Sequence, residues 1–135
     1  MTDRRDEAVA VLRENRHDGY TIPSATLYPY QWNWDSAFIA LGLAHVDPAA
    51  AKRELRTLLE AMWPNGMVPQ IAFWVDAEGY FPDPDEWEAR TQGVETSGIT
   101  QPPMLVPAAR RVYEVTGDDD FRDELLPLLD DHLSW

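Results

Sequence analysis

The sequence predicts an all-α fold in which outer and inner helices alternate, as in the opening part of an α/α toroid. Three observations carry that reading. Five segments of the 135-residue chain place apolar residues at helical spacing, and none sustains the alternation of a half-buried strand. Aspartate, proline and glycine stand where helices start and stop. Short connections alternate with long ones, so successive helices run antiparallel and both long connections emerge at one end.

The first segment, about 3–16, carries Ala8, Val9 and Leu12 on one side, with Arg13, Glu14 and Arg16 outside. The second, about 34–45, is nearly all apolar (Phe38, Ile39, Leu41, Leu43), the expectation for an inner helix buried all round. The third, about 48–63, opens with Asp47 as N-cap and Pro48 at the first helical position. Its stripe is Ala51, Leu55, Leu58, Leu59 and Met62.

The fourth segment, about 103–116, begins with proline, presents Leu105, Ala108, Ala109 and Val112 on one face, and ends at Gly117. The fifth runs from Asp118 with Phe121, Leu125, Leu128, Leu129 and His132 in register, and Pro127 is expected to kink or split it. Residues 68–75 offer one short strand at most.

Composition narrows the function. The length is that of one domain with a real core. No apolar run approaches the ~20 residues needed to span a bilayer, so no membrane partner is expected. Residues 1–7 lead into no apolar h-region, so a cytoplasmic protein is expected by default. Without cysteine there is no disulfide or thiolate metal site.

A net charge of −13 argues against binding a phosphate backbone, so no nucleic-acid partner is expected. Lys52 is the lone lysine beside ten arginines. That balance fits a salt-loaded cytoplasm or an ordinary acidic bacterial protein, and both readings stay open.

The chemistry sits in the long connections, since long loops in compact domains are usually functional. Tyr28-Pro29-Tyr30-Gln31-Trp32-Asn33-Trp34-Asp35 interleaves four aromatic rings with amides and a carboxylate. Amides and carboxylates are costly to bury unpaired, so the run is poor core material. It suits a sugar, whose C–H faces stack on rings and whose hydroxyls bind amides and carboxylates. The competing reading makes Asp35 a dipole-facing helix residue and the tryptophans plugs of the bundle end.

In the second connection Phe73 and Trp74 are expected to pack, whereas Tyr80 and Phe81 either pack or line the pocket. Asp83-Pro84-Asp85-Glu86-Trp87 reads as a solvated turn. Ser97 and Thr100 are placed to cap the fourth helix. Gln101 precedes Pro102-Pro103, which bias it toward an extended conformation and hold its amide ready for a ligand hydroxyl. His17, His45 and His132 lack metal-ligand spacing and read as surface or boundary residues. No phosphate loop or nucleophile elbow is present, and no cofactor is expected.

Several of these motifs together resemble glycoside hydrolase family 63, in particular its mannosylglycerate and glucosylglycerate hydrolase branch. They are Tyr28 to Asp35 continuing into Ser36-Ala37-Phe38, the turn Pro64-Asn65-Gly66, and Thr96-Ser97-Gly98 leading into Gln101-Pro102-Pro103. The resemblance implies an (α/α)6 barrel around a pocket for an α-linked glucoside or mannoside. It implies that Tyr28, Trp32, Trp34, Asp35 and Gln101 help bind the glycone, with Tyr80 on the same wall.

Family members invert the anomeric carbon with a carboxylic acid pair. That pair lies farther along the chain than the matched segment, so no residue here is assigned a catalytic role. The resemblance thus implies that residues 1–135 are the N-terminal part of a catalytic domain, inactive alone, with a second chain one way to complete the barrel. Two other readings are a stand-alone carbohydrate-binding or interaction module, and a helical-hairpin protein whose aromatics are core.

Overall fold

The computed structural model describes residues 3–76 and 79–135 of the chain. Among them are six helices: α1 (Arg4–Glu14), α2 (Asn33–Leu43), α3 (Pro48–Glu60), α4 (Pro84–Trp87), α5 (Leu105–Thr116) and α6 (Asp119–Ser134). The core lies where α2 packs on α3 and α5, and α5 packs on α3 and α6. Fully buried Ala37, Ala40, Ala51 and Ala108 let these helices approach closely around Leu43, Leu55, Leu58, Val112 and Phe121.

Helix ends follow local chemistry. The Asp47 carboxylate accepts from the Ala50 N–H at 3.0 Å, and the Asp118 carboxylate from the Phe121 N–H at 3.1 Å. Each supplies an acceptor to a donor that the helix leaves orphaned. Gly117 closes α5 in the left-handed region, with φ of 62°.

The all-α expectation needs correcting. Four short strands, β1 (Gln31–Trp32), β2 (Ile71–Phe73), β3 (Arg90–Thr91) and β4 (Val94–Thr96), form an antiparallel sheet ordered β1-β2-β4-β3. Trp32 faces Ile71, and Ala72 faces Thr96. Strands of two or three residues are too short to show a period, and β1 and β2 have partners tens of residues away. The sheet joins the two long connections, and β1 runs directly into α2.

Other expectations change with tertiary context. No residue of α1 is buried, and Leu12 alone of the expected stripe packs against the core. Helix α2 is not enclosed all round, because Phe38 is 48% exposed and Trp34 is 40% exposed. Pro127 does not split α6, which continues from Asp119 to Ser134.

The expected solvated turn at 83–87 is the one-turn helix α4, closed by a capping box between Asp83 and Glu86. Trp87 there packs on an aromatic cluster. Ser97 and Thr100 do not cap α5. The Ser97 hydroxyl accepts from the Ile71 N–H at 3.0 Å, and Thr100 donates to the Val68 carbonyl at 2.6 Å.

His132 is buried, not superficial, with Nδ1 3.2 Å from the Gly66 carbonyl. That contact belongs to a close approach of the 64–66 turn to the end of α6. Gly66 has φ of 93°, and a Cβ there would overlap the Asp131 carbonyl oxygen. Only glycine satisfies both conditions.

Candidate functional site

The candidate residues gather where β1 passes into α2. Trp32 takes the N-cap position in extended backbone, and Asn33, Trp34 and Asp35 form the first turn. The free N–H groups of that turn find partners from the second connection. The Asn33 N–H donates to the Gln70 carbonyl at 2.9 Å, and the Trp34 N–H donates to the side-chain oxygen of Gln101 at 2.9 Å. The Gln70 N–H in turn donates to the Ile99 carbonyl at 2.7 Å. The Gln101 side chain thus fastens directly to the start of α2, and the Ile99 backbone reaches it through Gln70.

Gln101 therefore spends its carbonyl on the scaffold, and no acceptor takes its NH2 group among the described residues. Asp35 is half-buried at the positive end of the α2 dipole. Burial raises its pKa above the ordinary carboxylate value, opposed by a hydrogen bond from its own N–H.

The aromatic residues divide by exposure. Trp32 is 9% exposed, and its indole N–H is buried without a protein partner among the described residues. Tyr28, 47% exposed, meets it edge-on at 5.3 Å between ring centroids. Tyr80 meets Tyr30 edge-on at 4.9 Å, and Tyr30 lies 4.8 Å from Phe73. Tyr80 has a raised pKa, first through burial and then through the neighbouring Tyr28. Trp34 stacks at 6.0 Å on Phe38 along the exposed side of α2.

Tyr28, Trp32 and Tyr80 thus form one group around Tyr30, and Trp34, Asp35 and Gln101 another around the α2 N-terminus. Tyr28 and Trp34 stand exposed at the surface. The larger concavities lie elsewhere: one of about 440 Å³, lined by Arg56, Trp63, Gln92, Glu124 and Leu128, contains none of the six candidates.

Against β1 and the first turn of α2 stands a buried polar cluster that sequence reasoning missed. Glu54 of α3 is 1% exposed. It accepts from the Ser36 hydroxyl at 2.5 Å and from the Gln31 amide at 3.1 Å. That amide also donates to the Glu54 backbone carbonyl at 3.0 Å, while Gln31 Oε1 accepts from the Trp74 indole at 2.7 Å. Burial is the largest influence on Glu54 and pushes its pKa up to about 7, against hydrogen bonds from Ser36, Thr21 and Gln31. The signal was present: Glu54 falls three residues after Ala51 and four before Leu58, on the apolar stripe itself.

Comparison with known proteins adds an independent line. The sequence profile of the "Mannosylglycerate hydrolase MGH1-like glycoside hydrolase domain" matches residues 28–135. Mannosylglycerate hydrolase MGH1 of Selaginella moellendorffii is 47% identical over 108 residues, 80% of this chain and 22% of that protein. Mannosylglycerate hydrolase of Thermus thermophilus is 49% identical over 117 residues, 84% and 28% of the two lengths. Glucosylglycerate hydrolase of Mycolicibacterium hassiacum is 43% identical over 113 residues, 79% and 25%.

Among solved structures, a family 63 mannosylglycerate hydrolase from Thermus thermophilus, in complex with Tris and D-glycerate, superposes with a TM-score of 0.89. It is 43% identical, and the alignment covers 98% of this chain and 32% of that one. The chain therefore spans under a third of the length of these relatives. Sequence profile, relatives and fold agree: the chain belongs to the MGH1-like glycoside hydrolases of family 63.

Proposed function

We propose that this chain is the N-terminal part of an (α/α)6 catalytic domain that hydrolyses an α-linked glucoside or mannoside, such as glucosylglycerate or mannosylglycerate, with inversion. Its share of the work is to bind the glycone. Trp34 offers a stacking face, Asp35 accepts sugar hydroxyls, and the free NH2 group of Gln101 donates to another. Tyr28, Trp32 and Tyr80 form the adjoining wall.

The observation that carries this reading is the Gln101–Trp34 hydrogen bond at 2.9 Å, which ties the second long connection to the helix start that bears Trp34 and Asp35. The unpartnered indole N–H of Trp32 supports it, because a buried donor without an acceptor is costly and a ligand oxygen would satisfy it. The Thermus thermophilus enzyme has been crystallised with glucose and with D-glycerate, the two halves of glucosylglycerate.

Inversion needs one carboxylic acid to protonate the leaving oxygen and a second to activate water. In this reading both come from the part of the domain beyond the matched segment, on the same polypeptide or on a second chain completing the barrel. The site of action is the cytoplasm.

Tryptophan fluorescence titrated with glucose, mannose and glucosylglycerate tests the reading. A saturable response at millimolar sugar that Trp34→Ala abolishes is expected. A flat response to all three overturns it. Release of free sugar from glucosylglycerate by residues 1–135 alone overturns the assignment of acid and base to another segment.

A further inference from the structure

Glu54 is an expensive residue to keep. An apolar side chain would continue the stripe of Ala51, Leu55 and Leu58, whereas a buried carboxyl must be desolvated and hydrogen-bonded. All its bonded partners are neutral: the Ser36 hydroxyl, the Gln31 amide and Thr21. These come from three different segments, namely α2, β1 and the stretch preceding β1.

Gln31 sits in a strand, so its side chain and those of Tyr30 and Trp32 point to opposite faces. Tyr30 and Trp32 enter the aromatic cluster with Ile71 and Phe73, while Gln31 reaches back to Glu54. Ser36 fixes the first turn of α2 to the same carboxyl oxygen. The two contacts flank Trp32, Trp34 and Asp35 on either side.

We propose that Glu54 is a positioning residue for this aromatic run, held there through Gln31 and Ser36, and that its charge is relayed through the Gln31 amide to the Trp74 indole. The functional importance of the run rests on the sugar-site reading above; the relay does not. An ionised carboxylate polarises the Gln31 amide and makes its oxygen a stronger acceptor, so the Trp74 N–H bond tightens as Glu54 loses its proton.

The surrounding charges are few. Arg53 on α3 and Arg16, His17 and Tyr20 from the preceding segment line a recess of about 20 Å³ beside Glu54. Arg16 is already paired with Asp47 at 2.8 Å. The residues of β1 and α2 that meet the carboxyl, Gln31 and Ser36, carry no charge.

The test follows the tryptophan indole N–H signals by nitrogen-15 NMR from about pH 5 to about pH 9, with glutamate carboxyl carbons observed in parallel. The Trp74 signal, identified by its loss in Trp74→Phe, is expected to shift with a midpoint near 7 that coincides with one glutamate carboxyl. Glu54→Gln keeps an acceptor for Ser36 and should abolish the shift while the far-ultraviolet circular dichroism is retained. His17→Gln should leave the shift in place, which excludes the imidazole lining the recess.

A Trp74 signal that is static with pH, that still titrates in Glu54→Gln, or that stops titrating in His17→Gln overturns the proposal. Should Glu54→Gln fail to fold, the coincidence of midpoints in the unmodified chain decides. A flat sugar titration beside an intact Trp74 shift counts against the sugar site alone. A sugar response beside a static Trp74 signal counts against Glu54 alone.

Discussion

The side-chain oxygen of Gln101 accepts the backbone N–H of Trp34 at 2.9 Å, joining residues 67 positions apart in the sequence. One amide thereby caps the first turn of α2 and closes the second long connection onto the first. Replacing it with leucine leaves that N–H to water. Gln101→Leu should cost about 1 kcal/mol in chemical denaturation, the usual net value of one hydrogen bond. Amide exchange at Trp34 should accelerate, and unchanged exchange there would refute the cap.

The two tryptophans at the start of α2 should respond differently to truncation. Trp32 is nearly buried in the aromatic cluster, so Trp32→Ala is expected to cost about 3–5 kcal/mol. Trp34 is 40% exposed, and Trp34→Ala should cost less than about half of that. Equal losses in thermal or denaturant unfolding would favour a helical-hairpin protein whose aromatics are core.

Glu54 sets a signature in the pH dependence of stability. Its folded pKa of about 7 stands above the ordinary 4.5, so the folded state binds the proton more tightly than the unfolded chain. Its contribution is complete below about pH 4.5 and is lost as the pH rises toward 7, a fall on the order of 3 kcal/mol. Glu54→Gln should flatten the denaturation midpoint across that window, and an unchanged slope would contradict the buried carboxyl. Asp47 behaves oppositely: hydrogen bonds from Ala50 and Arg16 lower its pKa, so its contribution is lost only as acid protonates it below the ordinary 3.8.

Two glycines with positive φ separate strain from collision. Gly117→Ala meets no atom within 4 Å and should cost only the left-handed penalty of about 1–2 kcal/mol. Gly66→Ala carries a similar strain and also drives its Cβ into the Asp131 carbonyl. Its loss should exceed that of Gly117→Ala by at least about 1 kcal/mol in urea unfolding. Equal losses would mean that the 64–66 turn does not press on the end of α6.

The sequence by itself determined the five long helices to within a few residues. Each carries its instruction locally, in apolar spacing, in the caps Asp47 and Asp118, and in the stop at Gly117. The crowding of rings and amides between Tyr28 and Asp35 was equally legible, and so was the family it resembles.

Tertiary structure decided the rest, because the information lies in pairs of residues far apart. β1 and β2 exist only through distant partners, and the local β3–β4 hairpin is too short to show a period. The burial of His132 and Glu54 depends on what packs over them, and a side chain's type does not reveal its neighbours. Helices are written in local backbone hydrogen bonds; the joining of Gln101 to Trp34 and of Gln31 to Glu54 is written in bonds across tens of residues, and only the folded chain brings those groups within reach.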